Sequence, residues 1–468
     1  MSVGVVLFTR DLRLHDNPVL WHAVHSHQRV VPVFVLDAAI LSGGFNRPNR
    51  AAFLADCLRD VDASLRARGA GLIIRGGDVV AETVKLARRV RADAVHVAGD
   101  VSGYAQRREQ RLTAELECEL VVHEDALFAV PPGRNRPSGG AGHMSVFAAY
   151  YRRWRTEPRR DPLLAPRHIA LPDAVARGRV PSARGICPGP VAPRLPQGGE
   201  SAGRARLAAW LRTAARGYDE VHDDLAADAT SRLSPYLHFG CLSAREVEER
   251  TPACQGGHAF RRQLCWRDFY HRVLEQFPRN ARSEFQDRYR GSIRWSYAKR
   301  PFEAWAEGRT GFPLVDAGMR QLRREGWMHN RARLVVGSFL TKDLGIDWRW
   351  GERHFMRYLV DGDEANNNGN WQWIASVGAD PAPHYRRLYN PTRQMETLDP
   401  RGAYVRRHVP ELRDVPEEYL REPWTMPEEV QQAAGCVIGR DYPGPIVDHR
   451  EARLRAIERY RAAAGSAA

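Results

Sequence analysis

The segment Asp361-Gly-Asp-Glu-Ala-Asn-Asn-Asn-Gly-Asn-Trp-Gln-Trp373 concentrates carboxylates, carboxamides and indoles within a few turns of chain. Carboxylates accept hydrogen bonds from ring N–H groups, carboxamides donate and accept, and indoles stack on planar systems. The segment shows neither helical nor strand periodicity. These residue types together favour a site for a large heteroaromatic ligand; an Asn/Asp-rich turn between helices is the alternative.

The charge balance of the chain favours a polyanionic partner. The formal net charge is +14 and the sequence pI is about 9.8. Arginine carries almost all of this excess, because Lys85, Lys299 and Lys342 are the only lysines. An arginine-rich basic chain suits a polyanion. The alternative is that coding bias replaced lysine with arginine and the charge only aids solubility.

Other features of the sequence exclude several classes of protein. The cysteines form no C-x-x-C pair, so neither a disulfide framework nor a metal site is predicted. The first apolar run, Val3 to Phe8, is followed by Arg10 and is too short for a signal peptide or a membrane span. We therefore expect a cytoplasmic monomer with no membrane partner.

The N-terminal elements form an α/β pattern that we assign to a domain of residues 1–128. Short buried strands are predicted at Val3–Phe8, Val30–Leu36, Leu72–Ile74, Ala94–Ala98 and Leu120–Val122. A helix with Phe53 and Leu65 on its apolar face ends before Gly69, and another begins after Asp78. These βαβ units predict a doubly wound parallel, Rossmann-like sheet. It carries neither G-x-G-x-x-G nor a P-loop, so those phosphate cradles are not expected.

The rest of the chain divides into a linker and an all-α domain. Residues 129–203 are rich in Pro, Gly and Arg, with one predicted helix at 145–155, and indicate an interdomain connection. Helical patterns dominate residues 204–468, at Arg204–Ala215, Ala244–Arg250, Phe260–Gln276, Leu314–Glu325, Asn330–Lys342 and Glu352–Leu359. The predicted fold class is therefore α/β followed by all-α.

Residues 361–373 resemble the flavin-binding signature of the photolyase/cryptochrome family. Further segments resemble other motifs of the family in the family's order: Thr9–Pro18, Thr230–Gly240, Gln263–Tyr270, Gly326–Arg331, Phe339–Leu344 and Tyr389–Thr392. The resemblance spans nearly the whole chain and is strongest to class I cyclobutane pyrimidine dimer DNA photolyases. It implies an α/β antenna domain followed by a helical FAD domain, the same division that the patterns predict.

The resemblance places FAD inside the helical domain. It implies that hydroxyls and backbone N–H groups hold the pyrophosphate, from Thr230, Ser231, Leu233 and Ser234. Further cofactor contacts are expected from Tyr218, Phe260, Arg267, Trp327, Asn330, Arg333, Asp361, Asp363 and Asn367. Phe260 stands where the family usually has Trp. Arg333 and Asp361 would form an ion pair across the flavin. Asp363 would accept a ring N–H, and Asn367 would face N5.

Two groups of tryptophans match functional positions of the family. Trp371, Trp348 and Trp295 match an electron relay from the flavin to the surface. Trp266 and Trp373 match the walls between which a dimer stacks after it is flipped out of DNA, at a cost of roughly a few kcal/mol. The other expected DNA contacts are Gln263, Leu334, Arg331 and Arg393, together with Arg386 and Arg387, although surface arginines are often merely solvated.

The resemblance implies a light-driven DNA repair lyase. Photoexcited, fully reduced FAD would give one electron to the dimer, the cyclobutane ring would open, and the electron would return without net redox change. Asn367, Gln263, Trp266 and Trp373 form the expected catalytic set. Asparagine at position 367 resembles the repair branch of the family. At this position plant-type cryptochromes typically have Asp and animal-type cryptochromes have Cys.

Three alternatives stay open from the sequence. Gln263 stands where many cyclobutane-dimer enzymes have Glu and resembles (6-4) photolyases, but those carry His where this chain has Leu334 and lack the indole of Trp373. A cryptochrome-type blue-light receptor without repair activity often has a long C-terminal tail, whereas this sequence finishes soon after a helix predicted at 450–463. A cryptochrome-DASH type typically alters the pocket tryptophans.

The antenna domain is expected to bind a second chromophore. Arg10, Phe34, Asp37, Arg50 and Asp100 match contact positions of the type that binds 8-hydroxy-5-deazaflavin. The folate-binding type has a Glu after an Asn in the loop after the fourth strand. That stretch is Gly99-Asp-Val-Ser-Gly-Tyr104 here, so folate is less favoured.

Overall fold

The computed structural model describes residues 1–131, 133–134, 145–172, 175–379 and 387–465. The N-terminal part is a five-stranded parallel sheet with strand order β3-β2-β1-β4-β5. Its strands are β1 Val3–Phe8, β2 Arg29–Asp37, β3 Ile73–Gly77, β4 Ala94–Ala98 and β5 Glu119–His123. The strand order reverses between β1 and β4, so their carboxyl ends flank the crevice where a doubly wound sheet binds ligands. The predicted doubly wound sheet is confirmed.

Five helices accompany the sheet: α1 Pro18–Ser26, α2 Ala38–Leu41, α3 Pro48–Arg66, α4 Val79–Val90 and α5 Gly103–Glu115. Asp78 caps α4 as predicted, since its carboxylate accepts the Ala81 N–H at 2.9 Å. Helix α3 buries Phe53 and Leu65 on the predicted face. The predicted βαβ units therefore form with the expected caps and apolar faces.

Short helices precede and open the helical part of the chain. The connection contains α6 Phe147–Trp154 and α7 Ala183–Ile186, and α8 Glu200–Thr213 follows. The remaining helices are α9 Tyr218–Val221, α10 Ser234–His238, α11 Ala244–Arg250, α12 Gln255–Gln276, α13 Lys299–Glu307, α14 Pro313–Glu325, α15 Asn330–Ser338, α16 Trp348–Tyr358, α17 Glu364–Ile374, α18 Pro391–Leu398, α19 Ala403–His408, α20 Glu428–Ala433 and α21 His449–Gly465. Among the described helices, none is long and apolar enough to cross a membrane.

Some predicted bounds differ from the structure. Helix α8 begins four residues before the predicted Arg204, and α12 begins five residues before Phe260. The predicted helix Asn330–Lys342 is α-helical only to Ser338, after which the chain forms a π-helical turn over Phe339–Asp343. The sequence therefore predicts the centres of these helices more accurately than their ends.

Residues 361–373 show no helical periodicity in the sequence, yet Glu364–Ile374 forms helix α17, so the expectation of a segment without helix is wrong. Asp363 caps this helix by accepting the Asn366 N–H at 2.9 Å. The side chains of Asn368 and Gln372, one turn apart, each donate to the carbonyl of Asn280 at 2.9 Å. The buried face of α17 is therefore held by hydrogen bonds, which a search for apolar periodicity does not detect.

Two points of the connection between the predicted domains, Val130 and helix α6, are held against the helical part. Trp154 of α6 is 1% exposed, and its indole N–H donates to the buried Asp268 of α12 at 3.0 Å. The same carboxylate oxygen accepts the Val130 N–H at 3.1 Å. Gly240 (φ +68°) closes the segment from Thr230, and a Cβ there would lie 1.8 Å from the Arg10 carbonyl oxygen. The helical part therefore sits directly on the first strand's loop.

Candidate functional site

The helical part encloses an open cavity of ≈ 390 Å³. Its walls include every predicted cofactor residue except Asn367: Tyr218, Thr230, Ser231, Leu233, Ser234, Phe260, Arg267, Trp327, Asn330, Arg333, Asp361 and Asp363. A cavity of ≈ 70 Å³ shares several of these residues and adds Asn367 and Trp371. A concave, partly apolar space with a few converging polar groups is typical of a cofactor site.

The polar groups of this cavity suit a dinucleotide with a planar ring. Arg333 donates to one oxygen of Asp361 at 2.7 Å, which forms the predicted ion pair. The other Asp361 oxygen and the Thr230 hydroxyl are buried and have no hydrogen-bond partner among the described residues. Trp327 donates its indole N–H to the Ser234 hydroxyl at 3.2 Å. Buried polar atoms normally find partners, so the free acceptor and hydroxyl fit FAD as the group that completes them.

Asp363 is the centre of a charge network that crosses between the two parts of the chain. Arg10 donates to it at 2.6 Å and to Asp100 at 3.2 Å. His271 and His238 lie 3.3 and 3.7 Å from the same oxygen. Burial opposes ionisation, but the nearby His271, Arg10 and His238 hold the pKa of Asp363 well below its ordinary value. Asp363 is therefore a carboxylate, and its contact with a flavin N–H stays a prediction.

Asn367 is buried beside a glutamate that sequence reasoning missed. Its amide nitrogen donates to the Glu352 carbonyl at 3.1 Å and lies 3.4 Å from the Glu352 carboxylate. Burial, together with the neighbouring Glu364, raises the pKa of Glu352 to about 7. Glu352 belongs to none of the sequence motifs. Only the packing of α16 on α17 brings it next to Asn367. It fixes the orientation of the amide that is expected to face flavin N5.

The three predicted relay tryptophans lie on α17, on α16 and in the segment before α13. Trp371 lines the smaller cavity, and a Cβ at Gly351 of α16 would lie 2.2 Å from its ring. Trp348, three residues before that glycine, has no exposed surface. Trp295 is only partly buried, and the next residue, Ser296, donates to the Gly345 carbonyl at 2.8 Å. Trp371 therefore borders the cavity and Trp295 is partly exposed, while the relay itself stays a prediction.

The two predicted dimer walls line the larger cavity, and each is supported from behind. Trp266 stacks on Phe147 of α6, with ring centroids 3.5 Å apart and planes 4° from parallel. The guanidinium of Arg387 lies 4.0 Å from the ring centroid of Trp373. Neither support was expected from the sequence, because Phe147 is distant from Trp266 along the chain and Arg387 was expected at DNA instead.

The remaining predicted DNA contacts surround the mouth of the cavity unevenly. Gln263, Leu334 and Arg331 line it, and Gln263 is exposed. Arg331 is held by Asp223, whose carboxylate accepts from Nε and, at 2.6 Å, from Nη2. Arg393 is exposed on α18 and does not belong to the cavity lining. Arg386 lies outside the described residues.

The predicted antenna residues gather at the carboxyl edge of the sheet. Arg10, Asp37 and Asp100 follow or end strands β1, β2 and β4, and Phe34 lies on β2. Tyr104 donates its hydroxyl proton to Asp37. Arg50, on α3, instead turns to the helical part, where it donates to the Leu359 carbonyl at 2.8 Å. Burial lowers the pKa of Arg50 to about 10.

Comparisons with known proteins agree with this arrangement. Residues 4–168 match the family described as DNA photolyase, and residues 260–462 match the FAD binding domain of DNA photolyase. The deoxyribodipyrimidine photo-lyase of Streptomyces griseus is 49% identical over 460 residues, which cover 97% of this chain and 98% of the relative. That of Escherichia coli is 34% identical, with 99% of both chains covered.

Solved structures show the same fold over the whole chain. A bacterial class III photolyase from Agrobacterium tumefaciens superposes with a TM-score of 0.90 at 32% identity, covering 99% of this chain and 98% of that one. A cryptochrome from Synechocystis gives 0.89 at 28% identity, covering 98% and 99%. An archaeal photolyase from Sulfolobus tokodaii with two FAD molecules gives 0.83 at 30% identity, covering 98% and 100%. The chain belongs to the photolyase/cryptochrome family.

Proposed function

We propose that this chain is a deoxyribodipyrimidine photo-lyase that uses FAD and light to split cyclobutane pyrimidine dimers in DNA. The observation that carries the proposal is that Trp266 and Trp373 line the same cavity as the Arg333–Asp361 pair. A flipped lesion between the indoles would thus lie beside the flavin site. Relatives named as this lyase, at 34–49% identity over nearly the full chain, support it.

The chain's residues bind and orient the cofactor. Arg333, Asp361 and Asn367 would hold the ring system, and the free Thr230 hydroxyl with Ser234 would hold the phosphates. FAD, when bound, supplies the light absorption and the one-electron chemistry. The protein contributes fixed polar groups that orient the ring.

The chain also selects the lesion by its shape. Stacking on aromatic walls contributes about 1–3 kcal/mol per base and offsets the cost of flipping. Gln263 donates a neutral hydrogen bond to the lesion in place of a carboxylic acid. Leu334 and Trp373 favour class I repair of cyclobutane dimers over repair of (6-4) photoproducts.

Incubation with an oligonucleotide containing a cyclobutane thymine dimer tests the function. We expect dimer loss under blue light with reduced FAD and none in the dark, with Trp373→Ala as the impaired variant. Persistence of the dimer in light would reject the lyase. It would favour a blue-light receptor, the second candidate, since the chain shares its fold with a cryptochrome. Parallel incubation with a (6-4) photoproduct decides between the two repair substrates.

We propose further that Trp371, Trp348 and Trp295 carry electrons inward to reduce oxidised FAD. Indoles are oxidised more easily than most side chains. Trp371 lines the smaller cavity, Trp348 is buried and Trp295 is partly exposed. Trp295→Phe should therefore block photoreduction of oxidised flavin in the presence of an external reductant. Photoreduction at the wild-type rate would remove Trp295 from the relay.

We propose 8-hydroxy-5-deazaflavin as the antenna chromophore, bound at the crevice that carries Arg10, Asp37 and Asp100. The reversal of strand order at this edge supports a ligand site there. The chromophore extracted from protein made in a deazaflavin-producing host should show a deazaflavin spectrum. A folate spectrum would reject this assignment.

A further inference from the structure

The middle tryptophan of the relay is hydrogen-bonded to a buried carboxylate. Trp348 donates its indole N–H to Glu284 Oε1 at 3.4 Å. Glu284 is only 3% exposed, and its other oxygen accepts from Arg349 Nη2 at 2.8 Å. Glu284 and Arg349 therefore form an ion pair in a largely buried position beside the indole.

The charges around Trp348 favour a positive charge on its ring. The Arg349 guanidinium carbon lies 4.8 Å from the ring centroid and disfavours such a charge. Arg349 is itself shared between Glu284 and Asp347, which it contacts at 3.1 Å. Two carboxylates thus outweigh one guanidinium, and Glu284 accepts from the N–H, where an oxidised indole becomes most acidic.

The inner tryptophan has the opposite environment. The Trp371 indole nitrogen is buried and has no hydrogen-bond partner among the described residues. Its ring packs edge-to-face against Phe355 at 4.9 Å and Trp305 at 6.2 Å between centroids. An apolar surrounding disfavours a charged group, whereas a neighbouring carboxylate stabilises a cation.

We propose that Glu284 directs the positive charge outward by making Trp348 easier to oxidise than Trp371. Light-excited oxidised FAD is the oxidant that first removes an electron from Trp371. One electron then passes from Trp348 to Trp371, which returns to neutral, and Trp348 becomes the cation. No bond breaks, and the indole proton stays in its hydrogen bond to Glu284. Glu284 is a positioning residue that acts through Trp348, and this inference rests on the relay proposed above.

Glu284→Gln tests the inference because it keeps the shape of the side chain and removes its charge. In the FAD-bound protein, transient absorption should show the tryptophan cation decaying faster and the photoreduction yield falling, on the order of tenfold, the effect of losing a hydrogen bond to a charged group. Glu303→Gln makes the same charge change at an exposed position of α13 and should leave both unchanged. A wild-type lifetime in Glu284→Gln would overturn the inference.

Two further measurements separate this role from a structural one. Ultraviolet resonance Raman spectra do not depend on flavin photoreduction. They should show a weaker indole N–H hydrogen bond in Glu284→Gln. Glu284→Asp keeps the charge and should restore most of the lifetime, and equal lifetimes in the Asp and Gln variants would refute the electrostatic argument. If Trp371→Phe fails to block photoreduction, the relay itself is wrong; if it blocks while Glu284→Gln behaves as wild type, only the role of Glu284 is wrong.

Discussion

Replacing Trp266 with alanine should weaken binding of dimer-containing DNA without an equal effect on intact DNA. The indole lines the cavity, and its rear face lies 3.5 Å from the Phe147 ring, so it is held before the lesion arrives. Stacking of a base on such a ring contributes about 1–3 kcal/mol. Because about 1.4 kcal/mol corresponds to tenfold in affinity, Kd should rise by about 5- to 150-fold.

Fluorescence anisotropy in the dark measures this change with a lesion duplex and a matched intact duplex. Trp266→Phe should fall between wild type and Trp266→Ala, since phenyl keeps part of the stacking area. Trp350→Ala is the control, because Trp350 is a partly buried indole of α16 that does not line the cavity. Equal losses on both duplexes, or no loss on the lesion duplex, would refute the stacking argument.

Three further perturbations test contacts that only the structure reveals. Asp223→Asn frees the guanidinium of Arg331 for a phosphate and should raise DNA affinity about two- to fivefold by anisotropy; unchanged or weaker binding would contradict this. Burial raises the pKa of Glu352 to about 7 in the folded state. The protonated Glu352 therefore stabilises the fold fully below about pH 4.5, and this stabilisation is lost as the pH rises through 7. The free energy of unfolding should therefore fall by about 2 kcal/mol more in wild type than in Glu352→Gln between about pH 5.5 and 8.5; equal slopes would argue against it. Arg10→Ala leaves two buried carboxylates without their guanidinium and should cost about 3 kcal/mol in urea unfolding, whereas an unchanged transition would show that the pair adds nothing.

The sheet was predictable where strands are buried on both faces. Strands Val3–Phe8 and Ala94–Ala98 have the predicted bounds, because every residue in them is buried and the sequence reads as a continuous apolar run. The edge strand Ile73–Gly77 extends through Arg75 and two glycines, which carry no apolar signal. Apolar runs therefore locate the central strands correctly, but they underestimate the length of the edge strand.

The expected cofactor residues come from motifs, and the residues that support them do not. Thr230, Asp361 and Trp327 lie in segments whose order of residues is specific. Glu284 and Asp223 reach the site from loops 64 and 108 residues away from their partners, Trp348 and Arg331. Isolated carboxylates in polar loops look the same in sequence whether they are solvated or buried against an indole. Only tertiary packing distinguishes them.

Arg10 shows what motif matching leaves out about a residue that it selects. The motif assigns Arg10 to the antenna site, but its guanidinium joins Asp100 beside the sheet to Asp363 beside the flavin cavity. The guanidinium of Arg10 donates to the His238 carbonyl, Asp100 and Asp363, so a chromophore that binds Arg10 perturbs a group that also holds Asp363, the cap residue of α17. By thermodynamic linkage, FAD must then change chromophore affinity by the factor by which the chromophore changes FAD affinity. Titration of the antenna chromophore into FAD-free and FAD-bound protein measures this factor, and identical affinities would show that the shared guanidinium does not couple the two sites.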